Sequence, residues 1–329
     1  MIYTFYLIAQ KVHNATLHTD TFLQHALVRD LAWVIVNPPI IQGLKQHQYW
    51  TESSDWQQAY QAFKAPLKQL DANPAELVEL LAKQKDYRLG HRFETLLTYW
   101  FNHSHRYEIL AQNLQIQDTN KTIGEFDFII KDHARDKVQH WEVACKFYLG
   151  INDTAFTQSW VGPMLKDRLD LKYDSMQSRQ SKLSEHPAAK QQLQQLGLTI
   201  DEHIGLMKGR LFHPIQSTEP APPSLVASDH QHAQWARLEH FVKHFQSSRY
   251  QWQVLKKDQW MASQLYCPDN SYLDTDSIAQ YFLDRSQASP LCLAGFLPET
   301  SKGHEIKRIF LVAKDWAKES NFNDNTNSY

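Results

Sequence analysis

The chain has 329 residues, of which 42% are hydrophobic, so it can build at least one large core and is not a disordered protein. Its formal net charge of −2 gives no basic signature over the whole chain, so a nucleic-acid partner would need a local basic patch. Three cysteines, none of them in a C-x-x-C pair, argue against a disulfide framework or a zinc–cysteine site.

The N-terminal part of the chain is predicted to be helical. Apolar residues recur with a period near 3.6 across residues 19–36, and Pro38 follows to end that helix. A second helix, residues 73–85, begins at an Asn-Pro pair that suits a helix N-terminus. Residues 90–103 carry another apolar stripe and are predicted to form a third helix.

The pattern then changes to that of β-strands. Residues 114–116 form a short strand candidate, and apolar and polar residues alternate over residues 123–130 and 138–149. The polar residues 132–137 lie between these two runs and are predicted to form a turn. Together the two runs predict a β-hairpin.

The rest of the chain is predicted to mix helices and strands. A segment rich in Pro, Ser and Ala lies between two such groups and is predicted to be a linker. The predicted helices are residues 165–183, 185–196, 233–245 and 277–285, and the predicted strands are residues 203–212, 250–255, 259–266 and 308–312.

These elements predict an α/β protein built from successive segments. The C-terminal α+β segment is expected to be either a separate domain or a cover on the same core. The predicted segments are a helical segment at residues 1–72, the core at residues 73–215, the linker at residues 216–230, the α+β segment at residues 231–318 and a disordered tail at residues 319–329.

The sequence also predicts the location of the protein. The apolar run at residues 2–9 is short and lacks the basic leader and cleavage site of a signal peptide. No stretch approaches the roughly 20 apolar residues that a membrane-spanning helix needs. We therefore expect a cytoplasmic protein that does not bind a membrane, and the sequence leaves its oligomeric state open.

Three polar side chains, Asp127, Glu142 and Lys146, share one face of the predicted hairpin. The plainest interpretation makes them solvated residues of an outer face. Two observations favour a functional site: the flanking residues are strongly apolar, and a lysine accompanies two carboxylates in register. Carboxylates held close together repel unless a cation lies between them. Mg²⁺ is such a cation, and it binds one or two carboxylates together with waters and phosphate oxygens.

The hairpin sequence resembles the core of the PD-(D/E)XK nuclease superfamily, through Gly-Glu-Phe-Asp-Phe at residues 124–128 and Glu-Val-Ala-Cys-Lys at residues 142–146. In that superfamily an Asp on one strand and a Glu-x-Lys on the next bind Mg²⁺ and cleave phosphodiesters. The resemblance implies that Asp127 and Glu142 hold Mg²⁺ or Mn²⁺. It also implies that Lys146 assists catalysis.

A second resemblance rests on several stretches spread over most of residues 20–185. They are residues 27–33, 88–94, 124–128, 139–149, 160–163 and 167–170. Through these stretches the chain resembles the bacterial family known as domain of unknown function 1853. The resemblance implies a restriction-endonuclease-like core, with a mixed central sheet flanked by helices, and brings no demonstrated activity.

The spacing of the motif departs from the superfamily pattern, in which the Glu and the Lys are two residues apart. Glu142 and Lys146 are four residues apart, so they still face the same side. The lysine, however, lies about 6–7 Å farther along the strand than the pattern requires. If Glu142 is the motif carboxylate, Ala144 occupies the expected position of the lysine. If Lys146 is the motif lysine, Ala144 occupies the expected position of the carboxylate. The superfamily often adds a glutamate from the preceding helix, and Glu94 lies in the matching place as a catalytic candidate.

Further candidates are Glu125, two residues before Asp127, and three residues of the polar segment after the hairpin, Arg168, Lys172 and Gln177. Arg168 and Lys172 are predicted to contact the nucleic-acid backbone, while Glu125 and Gln177 are predicted to support the site. The alternative is a solvated helix with ion pairs, and it is preferred for Lys172. The chain also has 17 histidines, which we attribute first to compositional habit and only second to metal binding.

These observations leave three functions open. The leading one is a Mg²⁺-dependent nuclease that hydrolyses phosphodiesters of nucleic acid. The alternative is a catalytically inactive protein of nuclease fold that binds nucleic acid or a protein partner. The last is a structural or adaptor protein that has kept only the fold.

Overall fold

A computed structural model describes residues 23–45, 48–84, 86, 88–119, 121–217, 222–286, 289–297 and 303–318. The predicted tail at residues 319–329 and the first four residues of the helix predicted at 19–36 lie outside the described residues. Eight α-helices occur in the described part of the chain. They are α1 (Ala26–Val36), α2 (Ser53–Ala72), α3 (Ala75–Ala82), α4 (Leu89–His103), α5 (Leu169–Asp174), α6 (Pro187–Gln195), α7 (Leu238–Phe245) and α8 (Thr275–Leu283).

Within the described residues, eleven strands form a single mixed sheet, which confirms the α/β class. The strands follow the order β3-β4-β5-β7-β8-β11-β10-β9, with β2 beside β7, β1 beside β2 and β6 beside β5. The strands are β1 (Gly43–Lys45), β2 (Gln48–Trp50), β3 (Tyr107–Asp118), β4 (Lys121–Asp132), β5 (Lys137–Gly150), β6 (Trp160–Val161), β7 (Glu202–Pro214), β8 (His232–Arg237), β9 (Gln251–Leu255), β10 (Leu291–Phe296) and β11 (Lys307–Val312).

The helices cover both faces of this sheet, as the alternation along β5 shows. Trp141 and Phe147 point to the face covered by α1–α4 and join the largest hydrophobic cluster. Ala144 and Tyr148 point to the opposite face, where they pack with Leu169 at the start of α5. Helices α6, α7 and α8 pack on other parts of that opposite face. The central strands are therefore buried on both sides, which is typical of the parallel pairings that join β5, β7, β8 and β11.

The predicted hairpin is confirmed as β4 and β5, which pair antiparallel. The strand predicted at residues 114–116 is part of the longer β3, which pairs with the other edge of β4. The alternation predicted for β4 holds at Phe128 and Ile130, which face α1–α4. It is wrong at Phe126, which packs instead with Ile129 in the cluster beneath α6. The strand thus changes the face that it presents at Asp127, between these phenylalanines.

Two predicted elements beyond the Pro-rich segment differ in the structure. Residues 233–237 of the helix predicted at 233–245 belong to β8, because β7 and β11 both pair with that strand and tertiary pairing outweighs the local helical period. The rest of that prediction is confirmed as α7. The strand predicted at 259–266 is a short 3₁₀ turn followed by irregular chain. There the carbonyls of Trp260 and Met261 accept hydrogen bonds from the buried Arg308 and Arg210 instead of from a neighbouring strand.

The segment predicted as one helix over residues 165–183 is also different in the structure. It begins only at Leu169 and continues after α5 as a π-helical turn, Ser175–Gln180. Arg168 precedes the helix in extended conformation and forms a bridge with Val161. This bridge joins β6, which pairs with β5, to the residue that precedes α5. Within the described residues, no helix combines the length and apolar character needed to cross a membrane.

Candidate functional site

The site begins where strands β4 and β5 separate. Their backbone pairing ends at Phe128 and Trp141, one residue before Asp127 and Glu142 would face each other. Asp127 Oδ2 accepts a hydrogen bond of 2.9 Å from the backbone N–H of Val143. A side-chain carboxylate thus takes the place of the next strand-to-strand hydrogen bond. The gap between the strands is lined by carboxylates.

Glu142 lies at the bottom of this gap and is fully buried. Its Oε1 lies 3.0 Å from Nε2 of His140, two residues earlier on the same strand. Burial lowers the pKa of His140 to about 3, so the imidazole is neutral and donates its Nε2–H to the carboxylate. Nδ1 of His140 then accepts from Nδ1–H of His203, at 3.2 Å. Two histidines thereby fix the orientation of Glu142.

The second oxygen of Glu142, Oε2, receives no hydrogen bond from the described residues when the carboxyl is ionised. The Asp127 carboxyl can partner Glu142, but only while one of the two groups holds a proton. Burial raises the pKa of both carboxyls, and their mutual repulsion raises that of Asp127 further. The pair therefore needs a proton or a cation between its oxygens.

A third carboxyl group comes from α4. Glu94 is half-buried, and both its burial and the negative charge of Asp127 raise its pKa. Its Oε2 lies 3.2 Å from Nδ1 of His91, one helical turn earlier. The spacing of three residues puts both side chains on one face of the helix. The opposite ring nitrogen of His91 lies 2.8 Å from Arg88, so Glu94 too is held in place by neighbours.

Lys172, on α5, supplies the positive charge next to these carboxylates. Its ammonium favours ionisation of both Asp127 and Glu142, while burial lowers its own pKa. Nζ donates a hydrogen bond of 3.1 Å to Oε1 of Gln180 in the π-helical turn. This interaction links the position of the ammonium to the π-helical geometry after α5. The sequence leaves two interpretations of Lys172 open, a contact with the nucleic-acid backbone and a place in a solvated helix, with the second preferred. In the structure its ammonium lies beside the carboxylates.

Lys146 lies farther along β5, as the motif spacing indicates. Its Nζ forms an ion pair of 2.6 Å with Oδ2 of Asp167, and the hydroxyl of Tyr148 lies 3.4 Å from the other oxygen. A cavity of about 520 Å³ opens over this region, and Glu94, Lys146 and Lys172 all line it. The carboxylate cluster therefore lies next to a solvent-filled space that has cations on its walls.

The remaining predicted residues have different surroundings. Arg168 binds both oxygens of Asp170, at 2.8 and 2.7 Å. Gln177 is buried and accepts a hydrogen bond from the indole of Trp50, so it supports the core. Glu125 adds negative charge that acts on the other carboxyl groups. The structure thus brings together Glu94, Asp127, Glu142, Lys172 and the charge of Glu125, with Lys146 on the cavity wall and Arg168 in a local ion pair.

The donor atoms of this site fit a hard divalent cation. Asp127 and Glu142 offer carboxylate oxygens, and Glu94 adds another near the cavity. Mg²⁺ and Mn²⁺ prefer oxygen ligands of this type, while softer metals prefer thiolate and imidazole. The nearest imidazoles, His140 and His91, are already hydrogen-bonded to the carboxylates.

Sequence reasoning missed several residues that shape the site. Asp167 forms an ion pair with Lys146. An acidic partner for this lysine could have been suspected, because acidic residues follow the hairpin closely. His140 lies two residues before Glu142, a spacing that puts both on one face of a strand. His91 lies three residues before Glu94, a spacing that puts both on one face of a helix. The position of Lys172 depends on the π-helical turn, which no sequence period indicates.

Comparison with known proteins gives a family and no activity. No curated protein and no solved structure matches the chain at a significant level. The family model matches residues 29–312, which confirms the resemblance found over residues 20–185 and extends it beyond the Pro-rich segment. The chain belongs to the family described as domain of unknown function (DUF1853).

Proposed function

We propose that this protein is a Mg²⁺- or Mn²⁺-dependent nuclease that hydrolyses phosphodiester bonds of nucleic acid. The observation that carries the proposal is the convergence of Glu94, Asp127 and Glu142 around the ammonium of Lys172, beside an open cavity. Asp127 and Glu142 would hold the cation, and Glu94 would complete the set. Strands that separate at Asp127 support a restriction-endonuclease-like core, with α4 on one side and α5 on the other.

The displaced lysine of the motif has a substitute in this proposal. Lys172 lies beside the carboxylates, and it lines the same cavity as Ala144. Lys146 lies on the cavity wall and is held there by Asp167. We assign to Lys172 the stabilisation of charge on the phosphate during cleavage, and to Lys146 an assisting contact with the substrate.

Each group then has a definite task in the reaction. A divalent cation held by Asp127 and Glu142 would polarise the phosphate and lower the pKa of a bound water. Lys172 donates hydrogen bonds to the phosphate oxygens as negative charge develops on them. His140 keeps Glu142 oriented, and His91 does the same for Glu94. The cavity gives room for a nucleotide phosphate next to Glu94 and Lys146.

A cleavage assay tests this proposal. Labelled single- and double-stranded DNA and RNA are incubated with the protein and Mg²⁺ or Mn²⁺. We expect cleavage by the wild type and its loss in Asp127→Asn and Glu142→Gln. The matched control is Glu79→Gln, an exposed carboxylate on α3. Wild type that is inert over the whole panel, or Asp127→Asn that cuts as well as wild type, contradicts the proposal.

A second candidate function is binding without cleavage, of nucleic acid or of a protein partner. The ion pairs of Lys146 with Asp167 and of Arg168 with Asp170 favour it, because both cations have carboxylate partners already. Calorimetry separates the two functions. A protein that only binds nucleic acid should release no heat when titrated with Mg²⁺. It should still bind nucleic acid, with an affinity that falls steeply as the salt concentration rises.

A further inference from the structure

Three histidines meet on the face of the sheet opposite α1–α4, away from the carboxylate site. His213 lies near the end of β7, His230 precedes β8 and His232 begins β8. Each offers one ring nitrogen, and these three nitrogens all lie within 4.8 Å of one another. His213 and His230 are almost completely buried, with 4% and 2% of their surface exposed, while His232 is half-buried.

The pairing of the strands explains how these residues meet. In the parallel register of β7 and β8, Leu211 faces His232, and His213 lies two residues along on the same face as Leu211. The rings of His213 and His232 stack with centroids 4.9 Å apart. His230 and His232 are two residues apart in an H-x-H sequence, and their ring centroids are 3.9 Å apart.

The hydrogen bonding of His230 suits a metal ligand. Its Nδ1 lies 2.6 Å from the carbonyl oxygen of Ala227. A carbonyl only accepts hydrogen bonds, so Nδ1 carries the proton and Nε2 carries the lone pair. Metal-binding histidines commonly donate the second ring N–H to a backbone carbonyl in this way, which fixes both tautomer and ring orientation.

We propose that His213, His230 and His232 bind a divalent transition metal of the Zn²⁺ class. Tetrahedral Zn²⁺ with Zn–N distances of about 2.0–2.1 Å places its ligand nitrogens about 3.4 Å apart. The nitrogens here therefore need to approach by at most about 1.4 Å. Neutral imidazole is the form that binds metal. The half-buried His232 marks the side from which the ion and a fourth ligand, such as water, reach the site.

This site differs in chemistry from the carboxylate site. Three imidazole nitrogens favour Zn²⁺, Co²⁺ or Ni²⁺ over Mg²⁺, whereas carboxylate oxygens favour Mg²⁺. It also ties together two parts of the chain that the Pro-rich segment separates, because His213 precedes that segment and His232 follows it. Bound metal therefore stabilises the junction of β7 and β8 by mass action.

Cobalt binding to the Asp127→Asn protein tests this proposal, because that variant removes a ligand of the carboxylate site. The apo protein is prepared with a chelator and titrated with Co²⁺ and then Zn²⁺, and bound Co²⁺ is followed by its visible absorption. We expect one equivalent of Co²⁺ with the intense bands of tetrahedral coordination, displaced by Zn²⁺. We also expect a higher melting temperature with Zn²⁺ than without it.

Variants of the histidines locate the bound ion. His232→Gln and His230→Gln should each weaken Zn²⁺ binding by more than the roughly 10–100-fold that loss of an outer-shell partner costs. The matched control His244→Gln, an exposed histidine on α7, should bind as before. Circular dichroism of each apo variant checks folding. Absence of the tetrahedral Co²⁺ bands in the Asp127→Asn protein overturns the proposal, as does unchanged Zn²⁺ affinity in a folded His232→Gln protein.

Discussion

Two opposing effects act on the carboxylate of Asp127. Its carboxylate replaces a backbone hydrogen bond between β4 and β5, which favours a fixed position. It also lies against Glu142 and Glu94, which disfavours its charge. Such unfavourable pairs are retained at functional sites at some cost in stability. At the scale of single residues, the charge of this carboxylate is the property most open to experiment.

The stability of the metal-free protein should therefore depend on pH. Folding raises the pKa of Asp127 to about 8, above its ordinary value of 3.8. The protonated carboxyl therefore stabilises the folded protein, and this stabilisation is complete below about pH 4. It is lost as the pH rises through 8. Thermal melts from pH 6 to 9 should show a falling melting temperature, and Mg²⁺ should restore it.

Asp127→Asn provides the matched test of that dependence. The amide can still accept the hydrogen bond from Val143 but carries no charge. At pH 9 we expect the variant to be about 1–3 kcal/mol more stable than the metal-free wild type and insensitive to Mg²⁺. A variant whose melting temperature follows that of wild type at every pH would show that this carboxylate does not carry the effect.

Lys172 gives a second prediction at the residue scale, which depends on the proposed nuclease activity. Lys172→Met should lower the cleavage rate by about 10²–10³-fold, because it removes a donor to the developing phosphate charge. It should also raise the pKa of Asp127 and Glu142, since the ammonium favours their ionised forms. Lys190→Met, an exposed lysine on α6, is the control and should cut at the wild-type rate.

At the scale of elements, strong period-2 patterns gave the hairpin β4–β5 and most of β7 correctly from the sequence. Elements set by long-range pairing were missed or wrong. Residues 233–237 have a helical period, yet β7 and β11 hold them as part of a strand. The sequence predicts a helical segment over residues 1–72 but not the bounds of the long helix α2, because that helix is mostly polar and contains Pro66. Asp127 and Glu142 can be singled out from the sequence because they lie on the hairpin, whereas the location of Lys172 beside them depends on the π-helical turn that follows it.

The contact between β5 and β7 gives a prediction at this scale. Gly209 faces Lys146 in the parallel pair, with φ of +151°, and a Cβ there would lie 1.6 Å from the carbonyl oxygen of Lys146. Gly209→Ala must therefore separate the two strands, and should cost more than about 3 kcal/mol in the free energy of unfolding. Gly197→Ala is the control. The φ of Gly197 is also positive, at +68°, but a Cβ there would have no described atom within 4 Å apart from its chain neighbours. It should cost about 1 kcal/mol in a denaturant titration.

The whole molecule uses residues from both sides of the Pro-rich segment to build one cavity. Lys257 and Trp260, which follow β9, line the same space as Glu94 and Lys146. The net charge is −2, but several basic side chains line this cavity, and under the proposed function they would form the local patch that binds nucleic acid. They are Arg88, Lys146, Lys166, Lys172 and Lys257.

This patch predicts the salt dependence of nucleic-acid binding. If three to five of these cations contact phosphates, the slope of log K against log salt should be about −2.7 to −4.5 on double-stranded DNA. Lys257→Met should weaken binding to all sequences alike and make the slope shallower by about 1. Lys190→Met should leave both quantities unchanged. An unchanged slope for Lys257→Met would place the nucleic acid elsewhere.

The position of β8 in the middle of the sheet has a kinetic consequence. Its partner on one side, β7, is only about 20 residues away, but its partner on the other side, β11, is about 75 residues away in the chain. During synthesis β8 therefore emerges with one edge unsatisfied until β11 has left the ribosome. The growing chain therefore exposes an unpaired, aggregation-prone strand edge for a long time. This protein should depend on holding chaperones during its synthesis more than a protein of equal size that is built from hairpins.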